Sequence, residues 1–345
     1  MSLSPERLEV VAVDDGYDFT KTLTRTKGAR IPTSVSLTLS NMAKVMQDEG
    51  KAVETETVFE IDGIEYAVGP DVVAAMETRF DDFPYHPANL AVAMDAMRRV
   101  VAPGTPVHVV VGVPVSRYYL NGEIDETVKT RKSVAWNKTV KMRNGPVLPR
   151  ICKVSVLSEA VAAWFDFVID ERFQERQHLI NDFMAVVDIG GRTTDIAVFK
   201  NAMIDLDLSD TMDSGMLEVQ KSIKKILSGK YRGSKFPRSL IIEAVNTGYV
   251  TLGNGRLDIS EDVIKERRRL VAKIEDFMIS QLGSEMPFLK RVLFVGGGAH
   301  ALQFDLKARF PNAFFAADPQ MANARGMLKY GVVSDSYEEA AVVNG

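Results

Sequence analysis

The chain has 345 residues, 46% hydrophobic and 26% charged, with a net charge of −4, enough apolar material for a large core shared between about two domains. That charge gives no general attraction to DNA or to anionic lipid, and no apolar run approaches the roughly 20 residues that cross a bilayer. The single cysteine, Cys152, excludes an intrachain disulfide and a thiolate zinc cluster, and His86, His108, His178 and His300 are scattered without metal-ligand spacing.

In chain order, the first predicted element is a β-hairpin. Val10-Val11-Ala12-Val13 enters an acidic turn, Asp14-Asp15-Gly16-Tyr17-Asp18, and Phe19-Thr20-Lys21 leaves it. The segment before it lacks a signal-peptide core, so a cytoplasmic location is expected. Residues 30–90 are less regular and read as an inserted subdomain, in which the acidic, lysine-interrupted stretch 47–57 forms a solvated hairpin loop. Residues 88–101 carry apolar side chains at helical spacing and stop before Pro103-Gly104, which predicts a helix leading into a strand at 107. The basic run Lys129, Arg131, Lys132, Lys138, Lys141 and Arg143 reads as a charged edge hairpin. A helix is expected over 157–173, with Trp164, Phe165 and Phe167 turned into the core.

A second domain is expected to begin near residue 184 with a second hairpin. Met184-Ala185-Val186-Val187 enters Asp188-Ile189-Gly190-Gly191-Arg192-Thr193-Thr194-Asp195, and Ile196-Ala197-Val198-Phe199 leaves it. Ser214-Gly215 precedes a predicted helix over 216–227. A long helix over 258–282 places Val263, Leu270, Ile274 and Phe277 near one face, and its run Arg267-Arg268-Arg269, flanked by acids, reads as a solvated surface rather than a DNA contact. Val292-Leu293-Phe294-Val295 is a buried-type strand that ends in Gly296-Gly297-Gly298-Ala299, with a helix expected over 299–310. The expected division is a first domain over 1–183, a second over 184–333 and a frayed tail over 334–345. The alternation of strands and helices favours α/β layers.

Glycine lets a backbone approach a phosphate closely enough for consecutive N–H groups to donate, and Lys21, Thr193 and Thr194 can add side-chain donors. An aspartate opening each turn would be repelled by a polyphosphate unless a cation lay between, and Mg²⁺, which keeps much of its water shell, is the usual bridge. The triple glycine removes every side chain from a flat approach, and the helix after it offers its N-terminus to a ligand. Each motif alone is more often structural.

All three in this order resemble the actin, Hsp70 and sugar-kinase superfamily, and within it the bacterial plasmid-segregation actins of the ParM or StbA family. The likeness runs from about Val10 to Val332. It includes Val107 to Val113 running into Pro114-Val115-Ser116-Arg117-Tyr118-Tyr119, the segment Arg131-Lys132-Ser133-Val134-Ala135-Trp136-Asn137-Lys138, and the passage Val154-Ser155-Val156-Leu157-Ser158-Glu159-Ala160. Two departures from the pattern stand out: Leu157-Ser158-Glu159 stands where some relatives have a proline before the serine or glutamate, and Arg192 occupies a place often taken by Gly or Thr.

The resemblance implies an actin-like, ribonuclease H-like two-domain ATPase fold with ATP or ADP and Mg²⁺ in the cleft. It implies phosphate contacts from Asp15, Gly16, Tyr17, Asp18 and Lys21 in the first loop and from Gly190, Gly191, Arg192, Thr193 and Thr194 in the second. Ser214, Gly215 and Gly296 to Ala299 would border the nucleoside. Asp14 and Asp188 would hold the metal through water, and Glu159 would orient the attacking water. Asp195 would help to hold the second loop. The activity implied is ATP-driven filament assembly that moves plasmid DNA through a small DNA-binding adaptor at a centromere-like site. Self-association would then be the main contact, with the basic run 129–143 as one filament surface, and neither strong direct DNA binding nor membrane attachment is expected. The alternatives are a sugar or acid kinase of the same fold, for which no convincing substrate base is found, and a chaperone-like ATPase, which would need a long C-terminal domain.

Overall fold

The computed structural model describes residues 7–37, 56–70, 72, 75–231, 234, 236–253 and 255–344. In chain order the first part holds β1 (Glu9–Asp15), β2 (Phe19–Leu23), β3 (Gly28–Pro32), β4 (Val35–Ser36), β5 (Thr57–Ile61), β6 (Ile64–Val68), α1 (Pro87–Met97), β7 (Pro106–Val113), α2 (Val115–Tyr118), β8 (Tyr119–Leu120), β9 (Glu123–Ile124), α3 (Glu126–Trp136), β10 (Val140–Met142), β11 (Arg150–Ser158) and α4 (Glu159–Val168). Then follow α5 (Gln177–Ile180), β12 (Met184–Ile189), β13 (Thr194–Lys200), β14 (Met203–Met212), α6 (Met216–Lys230), α7 (Arg238–Thr247), β15 (Tyr249–Leu252), β16 (Gly255–Asp258), α8 (Ser260–Leu282), β17 (Arg291–Val295), α9 (Gly296–Arg309), β18 (Ala313–Phe315) and α10 (Ala322–Asn344). Residues 1–176 with 323–345 form one compact unit and 177–322 another.

Both units are built on one plan. The first has a five-stranded sheet ordered β11-β7-β1-β2-β3, the second a five-stranded sheet ordered β14-β13-β12-β17-β18. In each, the first strand pairs antiparallel with its hairpin partner on one side and parallel with a later strand on the other. The side chains explain why the first strands are central: β1 from Val10 to Asp15 and all of β12 are buried, the continuous apolar pattern of a strand covered on both faces. The first unit also carries the inserted four-stranded sheet β10-β5-β6-β4. The stretch expected as a solvated hairpin loop lies, up to residue 55, outside the described residues.

Helix α1 is apolar except for Asn89 and Asp95, the latter paired with Arg98 and Arg99, and its residues 88–97 are buried, as in a helix within a core. It starts with Pro87 after the N-cap His86, whose side chain accepts from the Ala88 amide, and it stops at Met97 rather than 101. Helix α4 likewise ends at Val168, short of the expected 173, while Trp164 is buried as anticipated.

Three differences from the sequence reading have identifiable causes. The basic run is not a hairpin over its first half: residues 126–136 are α3, because the Asp125 carboxylate accepts from the Thr127 and Val128 amides and starts a helix that buries Lys132, Ala135 and Trp136. Helix α9 begins within the triple glycine instead of after it. Finally, the last residues are helical to Asn344 and return to the first unit, so the division differs from 1–183, 184–333 and a frayed tail. Asp166 of α4 holds α10 there by accepting from Arg325 (2.7 Å) and from the buried Lys329 (2.8 Å). His108 Nδ1 lies 2.9 Å from Asp335, whose other oxygen accepts from Lys153. These partners are far apart in sequence, out of reach of any local pattern.

Candidate functional site

In a sheet of this kind, ligands gather at the carboxyl ends of strands where the strand order reverses. Strands β1, β7 and β11 are parallel, so their carboxyl ends lie along one edge of the first unit. That edge carries the Asp14 to Asp18 turn, Gly112 and, one residue past β11, Glu159.

The turn is held by its carbonyls. Asn89 Nδ2 donates to the Asp15 carbonyl (3.4 Å), the Thr33 hydroxyl to that of Gly16 (2.7 Å), and the Thr78 hydroxyl to that of Tyr17 (3.3 Å). In a trans peptide the next N–H points opposite to each carbonyl, so these three tethers also set the directions of the Gly16, Tyr17 and Asp18 amides. The carboxylates are held separately. Lys21 Nζ donates to Asp14 Oδ2 at 2.6 Å, and Lys132 Nζ donates to Asp15 Oδ2 at 2.5 Å and to the Pro84 carbonyl at 3.0 Å. Lys132 is fully buried and Asp15 nearly so. Burial pushes the Asp15 carboxyl above the ordinary range, and the Lys132 ammonium pulls it back. Removing one partner of such a pair costs about 3–5 kcal/mol, since the other charge stays buried alone. Arg79 lies 3.8 Å from Asp18.

Glu159 opens α4 beside Gly112, which β7 places opposite Leu157 of β11. A Cβ on Gly112 would stand 2.7 Å from Glu159 Cγ, so the missing side chain there clears the room in which Glu159 lies. The hydroxyl of Ser158, the residue before it, is buried without a partner.

In the second unit the turn after β12 is held by a helix rather than by side chains. The Gly190 and Gly191 carbonyls accept from the first amides of α6, Met216 (3.1 Å) and Leu217 (2.8 Å), while the Gly190 amide donates to the Thr193 carbonyl. Gly215 makes this approach possible, because a Cβ there would sit 2.7 Å from both carbonyl oxygens. The same antiparallel rule sets the directions of the Gly191 and Arg192 amides. Beneath them Ser214 donates to Glu218 (2.5 Å), which also takes a bond from Lys273 (2.5 Å). Those two bonds, Lys273's being the stronger, hold the Glu218 carboxyl below its usual range.

Among the second-unit candidates, several side chains are already engaged. The Thr194 hydroxyl is fully buried and donates to the Ser214 carbonyl; Thr193 bonds Asp195, which also accepts from Thr211; Arg192 bonds Asp213. Ala299 lies in the core. The triple glycine divides its tasks. Gly296, at φ +86°, has the Asp188 carboxylate against it, and a Cβ on Gly298 would meet the Ile189 carbonyl at 2.8 Å. Only Gly297 faces open space. Asp188 therefore lies at the N-terminus of α9, where a carboxylate is favoured by the helix dipole.

These observations fit a nucleotide with its metal. Carbonyls that would repel phosphate are consumed internally in both turns, Gly297 leaves bare backbone exposed, and Asp14 already takes a cation, the Lys21 ammonium, at Oδ2. Among the described residues no group of three or more His, Cys, Asp or Glu side chains gathers as a metal cage. Sequence reasoning missed Lys132, Asn89, Thr33, Thr78 and Glu218. Asn89 left a sign, as one of two polar residues, with Asp95, in a largely apolar helix.

Residues 12–156 match the family model described as the actin-like proteins N-terminal domain, and residues 186–308 match that of the archaeal actin homologue MreB-like C-terminal region. No curated protein matches the sequence. Among solved structures, a non-polymerisable quadruple mutant of pCBH ParM is 20% identical with a TM-score of 0.76, covering 94% of this chain and 99% of its own. An archaeal actin homologue in complex with ADP is 18% identical with a TM-score of 0.75, at 94% and 99% coverage. A ParM from Clostridium botulinum, in a 15-stranded filament, is 20% identical with a TM-score of 0.71, again at 94% and 99%. At such identities these structures establish the actin-like two-domain fold.

Proposed function

We propose that this actin-like protein is an ATP hydrolase whose nucleotide state controls its own assembly into filaments. The observation that carries the reading is the shared construction of the two turns: each follows the central strand of its sheet, and each has carbonyls tied back, which turns the amides that follow them the opposite way. In this reading the turn amides and Lys21 take the phosphates, Asp14 and Asp188 hold hydrated Mg²⁺, and Glu159 positions water at the γ-phosphorus. The metal supplies charge neutralisation; the chain supplies direction and the water-positioning carboxylate. The neighbours solved as filaments and with ADP support assembly and nucleotide use.

The finer role we propose is moving plasmid DNA through a small DNA-binding adaptor, supported by the likeness to ParM. Direct DNA binding is not part of it. The basic run is matched by acids of its own unit, Lys129 with Glu126, Arg131 with Asp82, Lys138 with Asp62 and Arg143 with Glu65, which leaves little free charge for phosphate. The triple arginine is similarly spent: Arg267 donates to the Val245 carbonyl, Arg268 bonds Asp305 and Arg269 approaches Glu266. Among the described residues no helix is long and apolar enough to cross a membrane.

Sedimentation tests the assembly reading. With Mg²⁺ and ATP at protein concentrations on the order of tens of micromolar, the chain should pellet as filaments and remain soluble without nucleotide. Protein that stays monomeric with ATP, GTP and slowly hydrolysed analogues would sink the filament role and favour a kinase of the same fold.

A further inference from the structure

One face of the second unit lies outside the roles above. Helices α8 and α9 leave between them a shallow groove of about 320 Å³, lined by Arg268 and Val271 of α8 and by Phe304, Asp305, Ala308 and Arg309 of α9. Val271, only 1% exposed, lies at its floor, and at its rim stands Phe304, 80% exposed, the most exposed large apolar side chain among the described residues. Single apolar side chains on a surface are ordinary, but a ring beside an apolar hollow puts a knob and a hole on one patch. We propose that two copies of the chain pair through this face, each setting its Phe304 into the groove of the other across a two-fold axis.

The charges around the groove decide the partner. Arg268 donates to Asp305 at one end (3.3 Å) and Arg309 to Glu275 at the other (2.9 Å). Arg268 and Glu275 belong to α8, Asp305 and Arg309 to α9, so the signs alternate on going round the groove. A half-turn about an axis along the groove lays Arg268 on the second copy's Asp305 and Arg309 on its Glu275. A half-turn about an axis across the groove lays Arg268 on the second copy's Glu275 and Asp305 on its Arg309. Opposite charges meet either way, and the face is complementary to itself, as an isologous contact requires. A nucleic acid or an anionic membrane would meet two carboxylates beside the two guanidinium groups and gain no net attraction.

The patch is small. A standard stable interface buries about 800 Å² on each partner, and one ring with its groove supplies a fraction of that, so the pair should dissociate on the order of 100 µM and gain strength where many copies stand in one array. A two-fold contact closes at the dimer, whereas a filament grows through a heterologous one. The pairing therefore goes beyond nucleotide-driven assembly and does not rest on it.

Sedimentation velocity on the full chain without nucleotide, at about 10 to 500 µM protein to bracket so small an interface, tests the proposal. Wild type should show a reversible equilibrium that stops at the dimer. Phe304→Asp, at a site too exposed to hold the fold together, should weaken the dimer at least about tenfold, as loss of a central aromatic anchor does. Two further variants test the symmetry: an acidic face, Arg268→Glu/Arg309→Glu, and a basic face, Glu275→Lys/Asp305→Lys. Exposed ion pairs add little to stability, and thermal melting checks that both fold; if either does not, Phe304→Asp alone decides. Each charge variant repels its own kind and should stay monomeric, while their 1:1 mixture should dimerise at least as well as wild type. The proposal is overturned by a wild type that is monomeric throughout, by growth past the dimer, by a Phe304→Asp dimer as strong as wild type, or by a mixture no more associated than its components. None of these outcomes bears on the nucleotide reading, whose own tests run with Mg²⁺ and ATP.

Discussion

Glu159→Ala is expected to lower ATP turnover about 10²- to 10⁴-fold, the usual loss for a missing proton-transfer or water-positioning group, while nucleotide affinity stays near normal. The side chain starts α4 at the carboxyl end of β11 and lies over Gly112, and it is none of the groups that tether the first turn's carbonyls. Its removal leaves every tether of that turn intact. Because hydrolysis is the step that weakens the assembly in this account, filaments of the variant should also outlast those of the wild type. Phosphate release and filament lifetime, measured side by side, check both. Unchanged phosphate release would reduce Glu159 to a carboxylate favoured by the first turn of a helix.

Asp188→Asn should fail in the opposite way. The asparagine keeps the shape that lies against Gly296 but loses the charge, so Mg²⁺-nucleotide affinity should fall about 10- to 100-fold, as when a group acting through a metal's water shell is removed. Assembly should fall with it and recover when Mg²⁺ and ATP are raised. Turnover by the fraction that does bind should be reduced far less than in Glu159→Ala. Isothermal titration with Mg²⁺ and ATP decides this, and full wild-type affinity would remove Asp188 from the metal site. The two variants thus separate holding the phosphates from attacking them.

The parts of this design that could be read from the sequence are those carried by short, continuous patterns. An acidic glycine turn between two apolar runs is visible as a hairpin, and two of them suggested two similar units, which the matched strand orders bear out. Glu159 at a strand-to-helix passage was visible for the same reason. What escaped is whatever depends on partners remote in the chain. Lys132 looked like one more member of an exposed basic run, because nothing local distinguishes a lysine that meets Asp15 more than a hundred positions away. The carbonyl tethers were hidden too, since Thr33, Thr78 and Asn89 belong to three separate elements. The return of α10 to the first unit was lost because Ser334 onwards is small and acidic, a composition that suggests fraying until Lys153 and His108 are found to engage Asp335. In the triple glycine, Gly296 and Gly298 pack closely on β12, and Gly297 faces open space.

The central claim proposed here is that the turn amides donate to nucleotide phosphates, and amide hydrogen exchange reports on those groups directly. With saturating Mg²⁺ and a slowly hydrolysed ATP analogue, under conditions that keep the protein monomeric, exchange at Gly16, Tyr17 and Asp18 and at Gly191 and Arg192 should slow together, and should return to the free rate when nucleotide is removed. Protection of one turn without the other, or of neither, while nucleotide is demonstrably bound, would contradict the account.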